Sequence, residues 1–528
     1  MMRDSGVRLA ELVATLSLAS DLGLGQPAEH AIRSALVALD LADGIGLSAQ
    51  DRATTYWVTL LAWVGCTADS FELARLFGDD IEFRAGTYGI DFVGVPQLAY
   101  LLRHAGSGGS LTGRATSSAK LLLSHGRTVV NALTAHCEAT RGLAARFGLG
   151  GEIDRCLGLT FTRWDGRGQP RGVAGEDIPI AVRLLHLADA AVAHHRTGGT
   201  AGAVEVARKR RGTQLQPDLV DAFVPRAATV LAHLDEASSW GELVAAEPSL
   251  RGTLSDDELN AALEVLADFA DLKSPWCLGH SRGVADLAAE AASAAGCSPS
   301  DVRLVHRAGL VHDLGRTGVP NTLWDKPGPL TPTEMERVRL HDYYTQRMLQ
   351  HPAALAEIGA VASTTHERLD GSGYHRGAMA GGVSSLARLL AAADVLHAMS
   401  EDRPHRPALE PRARVAQLRA EARAGRLDTN AVDAVLQVTG HARRRRPAGP
   451  SGLTPREVEV LVHAARGASN RAIGEALGIS AKTAGTHIEH IYLKLGVSTR
   501  AGAALCAIEH GLLPAASTAP TPRRNSRS

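Results

Sequence analysis

Apolar residues recur at intervals of three and four positions through most of the chain. The pattern is clearest from Leu9 to Leu22 and from Val284 to Ala295. This spacing places apolar side chains on one face of an α-helix, as expected for helices that pack against a core. We find no sustained alternation of apolar and polar residues bounded by turn residues, which is the pattern of a half-buried strand. The sequence therefore predicts an all-α protein.

Self-comparison of the sequence reveals an internal repeat. Residues 160–172 align with residues 365–377 with seven identities in thirteen positions, at an offset of 205 residues. Three further pairs match: His136 with His341 and Asp189 with Asp394 at the same offset, and His30 with His280 after an adjusted gap. A tandem duplication of one helical unit explains this register.

The repeat and the turn-rich stretches divide the chain into successive units, consistent with the several domains that 528 residues allow. We expect a first helical unit at 1–225, a helical connector at 226–272, a second unit at 273–440, a basic linker at 441–452, a small helical unit at 453–513 and a disordered tail at 514–528.

Composition and charge narrow the class of protein. A chain with 45% hydrophobic and 21% charged residues is not one that stays disordered. Its longest apolar stretches run to about ten residues, short of the ~20 that span a membrane. Asp4 and Glu11 do not suit a signal peptide. We therefore expect a cytoplasmic protein that does not bind a membrane.

The formal net charge of zero conceals an asymmetry. From His441 onward the chain has thirteen basic and five acidic residues, which gives this part a charge of +8 and the preceding 440 residues a charge of −8. An acidic body with a basic end predicts that the C-terminal part alone meets a polyanion.

The second unit contains residue types that bind divalent cations. The candidates are His280, His312, Asp313, His341, His366 and Asp394. Neutral imidazoles and carboxylates suit Mn, Fe or Zn at a site that keeps positions open for water. A carboxylate next to a histidine can bridge two cations, and such cations lower the pKa of water for attack on phosphorus. The pattern therefore predicts metal-dependent hydrolysis of a phosphate ester.

The segments around these residues resemble the HD-GYP subgroup of HD-domain phosphohydrolases. The matching segments are residues 279–281, 311–321, 326–328, 366–374, 393–394 and 402–404. The resemblance implies an all-helical bundle with a two- or three-metal centre, and characterised members hydrolyse cyclic di-GMP. It implies that the six candidates are metal ligands, that His312, Asp313 and Arg316 are catalytic, and that Arg316, Arg368, Gly373 and Tyr374 bind substrate.

Four positions depart from the family pattern. Thr365 stands where the family has the first of two consecutive histidines, and Arg316 replaces a phosphate-binding lysine with a planar, bidentate cation. His375 replaces the proline of the GYP motif, and Trp276 stands where trinuclear members place a glutamate. We therefore expect one or two Mn, Fe or Zn ions rather than three.

The first unit is more degenerate than the second. It keeps His30, His136 and Asp189, but the HD dyad is replaced around Gly65-Cys66 and Phe161 stands at the position of the fourth imidazole. Without a bridging carboxylate it cannot hold a dinuclear centre. We expect a structural or regulatory unit: either a pseudo-enzyme half that binds a ligand without cleaving it, or a scaffold.

Residues 453–513 contain helix-start residues in the order typical of a helix-turn-helix. Thr454, Ser469 and Ser480 are predicted to begin successive helices, and Glu457 completes a capping box with Thr454. Residues 484, 488, 491 and 495 of the last of these helices form one apolar stripe, which leaves the opposite face for the DNA major groove.

This unit resembles the LuxR-type helix-turn-helix over all of its roughly sixty residues, through Leu453-Thr-Pro-Arg-Glu457, Ser469-Asn-Arg-Ala-Ile473 and Lys494-Leu-Gly-Val497. The resemblance implies a four-helix domain that binds double-stranded DNA, commonly as a homodimer. The DNA-binding candidates are Arg471, Lys482, Thr483, Thr486, His487, Glu489, Lys494 and Arg500, of which the cations would contact phosphates.

Three functional hypotheses remain at this stage. The first is a bacterial transcription regulator whose helical body senses or hydrolyses a phosphorylated ligand such as a cyclic dinucleotide. The second is a metal-dependent phosphodiesterase with an appended DNA-targeting domain. The third is a metal-bound scaffold with neither activity. The predicted architecture is two tandem HD-type bundles followed by a four-helix LuxR-type domain.

Overall fold

The computed structural model describes residues 5–108, 111–124, 126–235, 238–248, 252–351, 353–439 and 453–513. The linker and tail expected at 441–452 and 514–528 lie outside the described residues. The described part consists of α-helices joined by turns and short 3₁₀ segments, with isolated bridges instead of strands. The prediction of an all-α protein is confirmed.

Helices α1 to α13 belong to the first half and the segment that follows it. They are α1 (Leu9–Gly23), α2 (His30–Gly44), α3 (Ala49–Leu61), α4 (Ser70–Phe77), α5 (Asp80–Thr87), α6 (Gly94–His104), α7 (Leu111–Leu123), α8 (Arg127–Arg146), α9 (Glu152–Leu157), α10 (Ile180–Arg210), α11 (Pro217–Phe223), α12 (Ala227–Val230) and α13 (Trp240–Ala245). Short 3₁₀ segments lie at Val64–Thr67, Gly175–Asp177, Val224–Arg226 and Ala232–Asp235.

Helices α14 to α22 form the second half. They are α14 (Asp256–Asp271), α15 (His280–Ala294), α16 (Pro299–Val311), α17 (Asn321–Trp324), α18 (Pro332–Leu349), α19 (Ala353–Ala362), α20 (Ser385–Met399), α21 (Pro411–Arg423) and α22 (Thr429–Thr439). Here the 3₁₀ segments are Leu314–Gly318 and Ala380–Gly382.

The two halves begin with the same local arrangement. Asp21, near the end of α1, accepts a hydrogen bond from the Ala31 backbone N–H at the start of α2 (3.2 Å). Asp271, at the end of α14, accepts one from the Ser281 N–H at the start of α15 (3.0 Å). Because α14 plays this part in the second half, it packs with α15 and α16 and is not a free connector, although it falls within the expected range 226–272.

A glycine fixes the register of the two halves more closely. A Cβ on Gly65 would lie 2.1 Å from the carbonyl oxygen of His136, and a Cβ on Gly315 would lie 1.9 Å from that of His341. Only glycine permits this close approach of a 3₁₀ segment to the long helix behind it. Gly65 and Gly315 are therefore equivalent.

This equivalence shows that the first half contains an insertion. The offset between the halves is 250 residues at Gly65 and Gly315 but 205 residues at His136 and His341, so the first half has 45 additional residues between these points. Helices α4 to α7 lie in this longer segment. The second half has α17 there instead.

Residues 453–513 form four helices: α23 (Pro455–Ala465), α24 (Asn470–Leu477), α25 (Ala481–Leu495) and α26 (Arg500–Glu509). The hydroxyls of Thr454, Ser469 and Ser480 each accept a backbone N–H at the start of the first three, as the sequence predicts. Within α25, Ala484, Ile488 and Ile491 are buried.

The C-terminal unit rests on the first half through α26 and α8. The Glu138 carboxylate of α8 accepts the backbone N–H of Ser498 (2.9 Å) and also the hydroxyls of Ser498 and Thr499, at the start of α26. Leu505 packs against α8 where Gly142 leaves room for it. Helix α8 thus holds α26, and Gly467 of the C-terminal unit also lies against Pro275 and Phe71 of the body.

No single helix in the described part combines the length and the apolar composition needed to cross a bilayer; the bent pair α25 and α26 meets that test together, by length and composition alone.

Candidate metal centre

The six metal-ligand candidates of the second half lie together in the structure. His280 begins α15, His312 and Asp313 follow α16, His341 lies in α18, His366 follows α19 and Asp394 lies in α20. All are buried except His366, which is half-buried. Five separate segments thus bring imidazoles and carboxylates from distant parts of the sequence to one point in the bundle.

Both carboxylates face imidazole nitrogens on two sides. Asp394 Oδ1 lies 3.3 Å from His280 Nε2 and 3.8 Å from His312 Nε2, while its Oδ2 lies 3.6 Å from His366 Nε2. Asp313 Oδ2 lies 3.6 Å from Nε2 of both His280 and His312, and its Oδ1 lies 3.7 Å from His341 Nε2. Each carboxylate therefore spans two groups of nitrogens.

The other ring nitrogen of every histidine has its own acceptor. His280 Nδ1 lies 3.0 Å from Glu401 and His366 Nδ1 lies 3.0 Å from Asp342. His312 and His341 turn Nδ1 to the backbone carbonyls of their own helices, at 2.8 and 2.6 Å. An Nδ1–H donated in this way leaves Nε2 unprotonated and able to bind a cation.

These donor atoms form two triads of metal-ligand spacing. His280, His312 and Asp394 form one, and Asp313, His341 and His366 form the other. A third group, of His280, His397 and Glu401, uses the Nδ1 side of His280. Because Asp313 and Asp394 each offer a second oxygen to the neighbouring triad, the arrangement has the form of a two-ion site.

The residues present fit divalent cations. The Nε2 atoms of His312 and His341 are buried and have no hydrogen-bond partner in the described part of the protein. Such orphaned nitrogens are costly in a protein interior unless a ligand satisfies them. The donors are nitrogen and oxygen, the set that suits Mn, Fe or Zn.

Burial and charge prepare these groups for cation binding. Burial lowers the pKa of His312, His341 and His366 below the usual value, so these imidazoles are neutral near pH 7. Burial alone would raise the pKa of Asp313, but Arg316 and the nearby imidazoles hold it well below its usual range. A neutral imidazole and an ionised carboxylate are the forms that bind metal.

His280 differs from the other three histidines. Burial lowers its pKa, but the carboxylates of Glu401 and Asp394 outweigh burial and raise it well above the usual value. A cation at this imidazole competes with a proton.

The predicted substrate residues surround the two triads. Arg316 donates to Asp313 (2.6 Å) and lies over the Trp324 ring, 4.1 Å from its centroid. The Tyr374 ring stacks on His366 with centroids 5.2 Å apart. Arg368 donates to the carbonyls of Thr365 and Glu367, so its guanidinium holds the loop that it begins.

Gly373 and Thr365 have structural roles beside the two triads. A Cβ on Gly373 would lie 2.3 Å from the Arg368 backbone nitrogen, so the loop requires glycine there. The Thr365 hydroxyl donates to the Ala362 carbonyl (2.8 Å) and is not directed to the metal-ligand candidates. Thr365 therefore replaces the family's extra histidine with a helix-end contact.

Two carboxylates that orient the histidines were not predicted from the sequence. Asp342 binds His366, and Glu401 binds His280 and is itself held by Arg403. Their only signals were the position of Asp342 directly after His341 and that of Glu401 directly before the matched segment 402–404.

The first half has no comparable centre among its described residues. Counting back from Gly65, the positions of His312 and Asp313 are held by Ala62 and Trp63, three residues before the Gly65-Cys66 pair that the sequence indicated. The identical residues are too few there to fix the register, which backbone packing alone reveals.

Protein groups satisfy the remaining polar residues of the first half. Asp189 Oδ1 lies 3.0 Å from His30 Nε2 and accepts the Trp63 indole N–H (3.1 Å). His136 turns Nε2 to the Ala62 carbonyl (2.7 Å), whereas Nε2 of its counterpart His341 has no such partner. An indole thus stands where the second half has the carboxylate of Asp313.

The DNA-binding candidates divide into two groups. Lys482, Thr483, Thr486 and Glu489 are exposed on α25, with His487 half-buried beside them, and Arg471 is exposed on α24 and paired with Glu475. The other two cations have partners inside the protein. Lys494 Nζ binds the Glu457 carboxylate at 2.7 and 2.9 Å, and Arg500 donates to the Ala468 carbonyl.

Two protein-family models match the chain. Residues 264–431 match the HD domain, and residues 451–507 match the bacterial regulatory proteins of the luxR family. The chain therefore contains an HD domain followed by a LuxR-type DNA-binding domain.

Similar proteins include cyclic-dinucleotide phosphodiesterases. Over 409 residues the chain is 28% identical to 3'3'-cGAMP-specific phosphodiesterase 3 of Vibrio cholerae serotype O1, an alignment that covers 76% of this chain and 88% of that one. Over 145 residues it is 36% identical to the cyclic di-GMP phosphodiesterase response regulator RpfG of Xanthomonas campestris pv. campestris, covering 27% of this chain and 38% of that one.

A solved structure shares the fold of most of the chain. The crystal structure of a cyclic GMP-AMP specific phosphodiesterase from V. cholerae (V-cGAP3) superposes with a TM-score of 0.58 at 22% identity, and covers 83% of this chain and 99% of that one. The likeness extends beyond the HD domain and so includes much of the first half.

Proposed function

We propose that this protein is a DNA-binding regulator whose HD domain binds two divalent metal ions and hydrolyses a cyclic dinucleotide. The observation that supports it best is the arrangement of four Nε2 atoms around the carboxylates of Asp313 and Asp394, with every Nδ1 held by an acceptor. Relatives that share this domain are cyclic di-GMP and 3'3'-cGAMP phosphodiesterases, which supports a ligand of that class.

In this proposal His280, His312, Asp313, His341, His366 and Asp394 hold the cations. Bound divalent ions lower the pKa of water and neutralise charge on a transferring phosphoryl group. Glu401 and Asp342 keep the imidazoles oriented. Arg316 lies beside Asp313, where its fork of N–H donors suits a phosphate oxygen. Tyr374, stacked on His366, forms an apolar wall at the same place.

The regulatory part of the proposal is supported by the docking of the LuxR-type domain. Glu138 binds Ser498 and Thr499, directly before α26, while Lys482 and Thr486 of α25 remain exposed. A DNA-targeting tag has no need of such contacts with the body. A regulator does, because a change in the body must reach the DNA-binding surface.

The test is incubation of the purified chain with Mn or Fe and either cyclic di-GMP or 3'3'-cGAMP, followed by chromatography for linear products. We expect metal-dependent hydrolysis, which His312→Ala with Asp313→Ala abolishes together with the bound metal. The matched control is His306→Ala with Asp286→Ala. These two residues form a surface pair in which His306 Nε2 lies 3.3 Å from Asp286 Oδ1. Equal metal content in the wild type and the His312/Asp313 variant would contradict the proposal.

A further inference from the structure

The first half encloses a cavity of about 860 Å³ at the place that corresponds to the metal centre of the second half. Its floor includes Trp63 and Phe161, two of the positions at which the repeat has changed, and the retained His136. The additional segment of the first half builds one wall, through residues of α4, α5 and α6. The volume is that of a small-molecule binding site.

Charged residues give this cavity a cationic character. Six arginines line it, against two carboxylates, Asp69 and Asp189. Both carboxylates are already engaged, Asp69 with Arg84 and Asp189 with His30 and Trp63. The lining arginines are Arg84, Arg127, Arg163, Arg167, Arg171 and Arg210.

Of these arginines, Arg167 and Arg171 are placed to bind a ligand. Arg84 is tied to Asp69 and Asp80, and Arg163 to two other aspartates. Arg167 and Arg171 are exposed at the rim, and in the described part of the chain neither guanidinium lies within ion-pair distance of a carboxylate. Arginine forks of this kind recognise phosphate bidentately.

The floor offers aromatic surface below these cations. The Trp63 and Phe161 rings lie 5.9 Å apart between centroids, and Phe161 and His136 lie 4.9 Å apart. Phe92 and Leu98 of the additional segment face the same cavity. Aromatic and apolar walls beneath phosphate-binding cations suit a nucleotide, whose bases stack and whose phosphates are charged.

We propose that this cavity binds a cyclic dinucleotide that it does not hydrolyse. The residues themselves indicate a nucleotide phosphate, and the choice of a cyclic dinucleotide rests on the proposed function of the HD domain. The Trp63 indole and the bonded His136 leave no donor set for a cation, so the ligand is held and released intact.

Helix α8 connects this site to the DNA-binding domain. Its first half contributes Thr128, Val129, Leu133 and His136 to the cavity. Later in the same helix, Glu138 accepts hydrogen bonds from the residues directly before α26. One turn further on, Gly142 leaves room for Leu505. A ligand that moves α8 therefore acts directly on the domain that meets DNA.

The test uses the full chain with His312→Ala and Asp313→Ala, so that the ligand is not consumed. We expect it to bind cyclic di-GMP or 3'3'-cGAMP in equilibrium dialysis with EDTA present, and to lose at least tenfold in affinity when Arg167→Glu and Arg171→Glu are added. Arg208→Glu with Lys209→Glu, an equal charge change on an exposed part of α10, is the matched control and is expected to bind as its parent does.

Hydrogen exchange with and without ligand locates the site in the same samples. We expect slower exchange in α8 and altered exchange in α26. Equal affinity in the Arg167/Arg171 variant, or protection confined to residues 280–394, would overturn the inference. Absence of binding to the metal-free chain would overturn it as well. Hydrolysis by the wild type tests the HD domain separately, because Arg167 and Arg171 lie outside it.

Discussion

Glu401 Oε2 lies 3.0 Å from His280 Nδ1, on the side of the ring opposite to the metal-ligand nitrogen. The carboxylate also accepts a hydrogen bond from Arg403, which fixes its position. A carboxylate behind a ligand histidine sets its tautomer and orientation. The relationship explains how a buried imidazole at the first residue of α15 keeps Nε2 directed at Asp394.

We therefore predict that Glu401→Gln weakens metal binding by about 10–100-fold, since the amide orients His280 less firmly and raises its basicity less. Metal content after dialysis against a graded chelator measures this. Glu410→Gln, an exposed glutamate at the start of α21, is the control and is expected to leave the metal content unchanged. Unchanged retention in Glu401→Gln would show that Glu401 has no part in the site.

A second prediction concerns the glycine that lets the Leu314–Gly318 segment touch α18. In Gly315→Ala the new Cβ would meet the His341 carbonyl oxygen at 1.9 Å, so the two segments must separate. We expect a decrease of about 1–3 kcal/mol in the free energy of unfolding, the usual cost of overpacking. Bound metal should fall too, because His341 moves with its backbone.

Thermal unfolding and metal analysis together check this prediction. The matched substitution is Gly381→Ala, where a Cβ has nothing within 4 Å. A Gly315→Ala protein with the stability and metal content of Gly381→Ala would mean that the two backbones are not tightly packed.

Most of the candidate metal ligands could be identified from the sequence because they lie in short segments that match the family, whereas His341 lies outside those segments and keeps a constant offset from His136. His312 and Asp313 show this best, since they lie within the matching segment 311–321. The residues behind them could not be predicted in this way. Glu401 binds a histidine 121 positions away, and only the packing of α15 beside α20 makes them neighbours.

The first half shows a second limit of prediction from the sequence. Its helical character follows from apolar periodicity, and His136 and Asp189 keep a constant offset from their partners. The position of the HD dyad does not keep this offset. The residues there have changed to Ala62 and Trp63, and an insertion alters the offset nearby. The expectation of two tandem HD-type bundles agrees with the repeated order of helices, although whether the first half counts as an HD domain stays a prediction.

The two lysines of α25 are predicted to act differently on DNA binding. Lys482 is exposed on the face opposite the buried stripe, whereas Lys494 is paired with Glu457. Removal of one phosphate-binding cation reduces the slope of log K against log salt by about 0.9. We expect Lys482→Ala to weaken binding to duplex DNA and to reduce the slope by that amount.

For Lys494→Ala we expect a lower melting temperature of the LuxR-type domain and no change in the salt slope. Fluorescence anisotropy at several salt concentrations separates the two variants. A reduced slope for Lys494→Ala would mean that this lysine leaves Glu457 and binds phosphate.

The last prediction is a pH dependence of the same domain. The Lys494 ammonium and the Thr454 backbone N–H lower the pKa of Glu457 from its usual 4.5 to about 2. A folded-state pKa below the unfolded value means that the ionised carboxylate stabilises the fold. This contribution is complete above about pH 5 and disappears as the pH falls from there towards about 2. Amide exchange of α23, compared between the wild type and Glu457→Gln, measures it.

The wild type should exchange more slowly than Glu457→Gln at pH 6, and the difference should shrink steadily as the pH approaches 3. Glu459→Gln on the same helix, an exposed residue paired only with Arg456 in the described part of the chain, should show no such trend. Glu457 also completes the capping box of α23. Part of the difference in exchange rate therefore remains while the Glu457 carboxylate is ionised, whatever the state of Lys494. A difference that stays constant from pH 6 to pH 3 would contradict the lowered pKa and the ion pair that causes it.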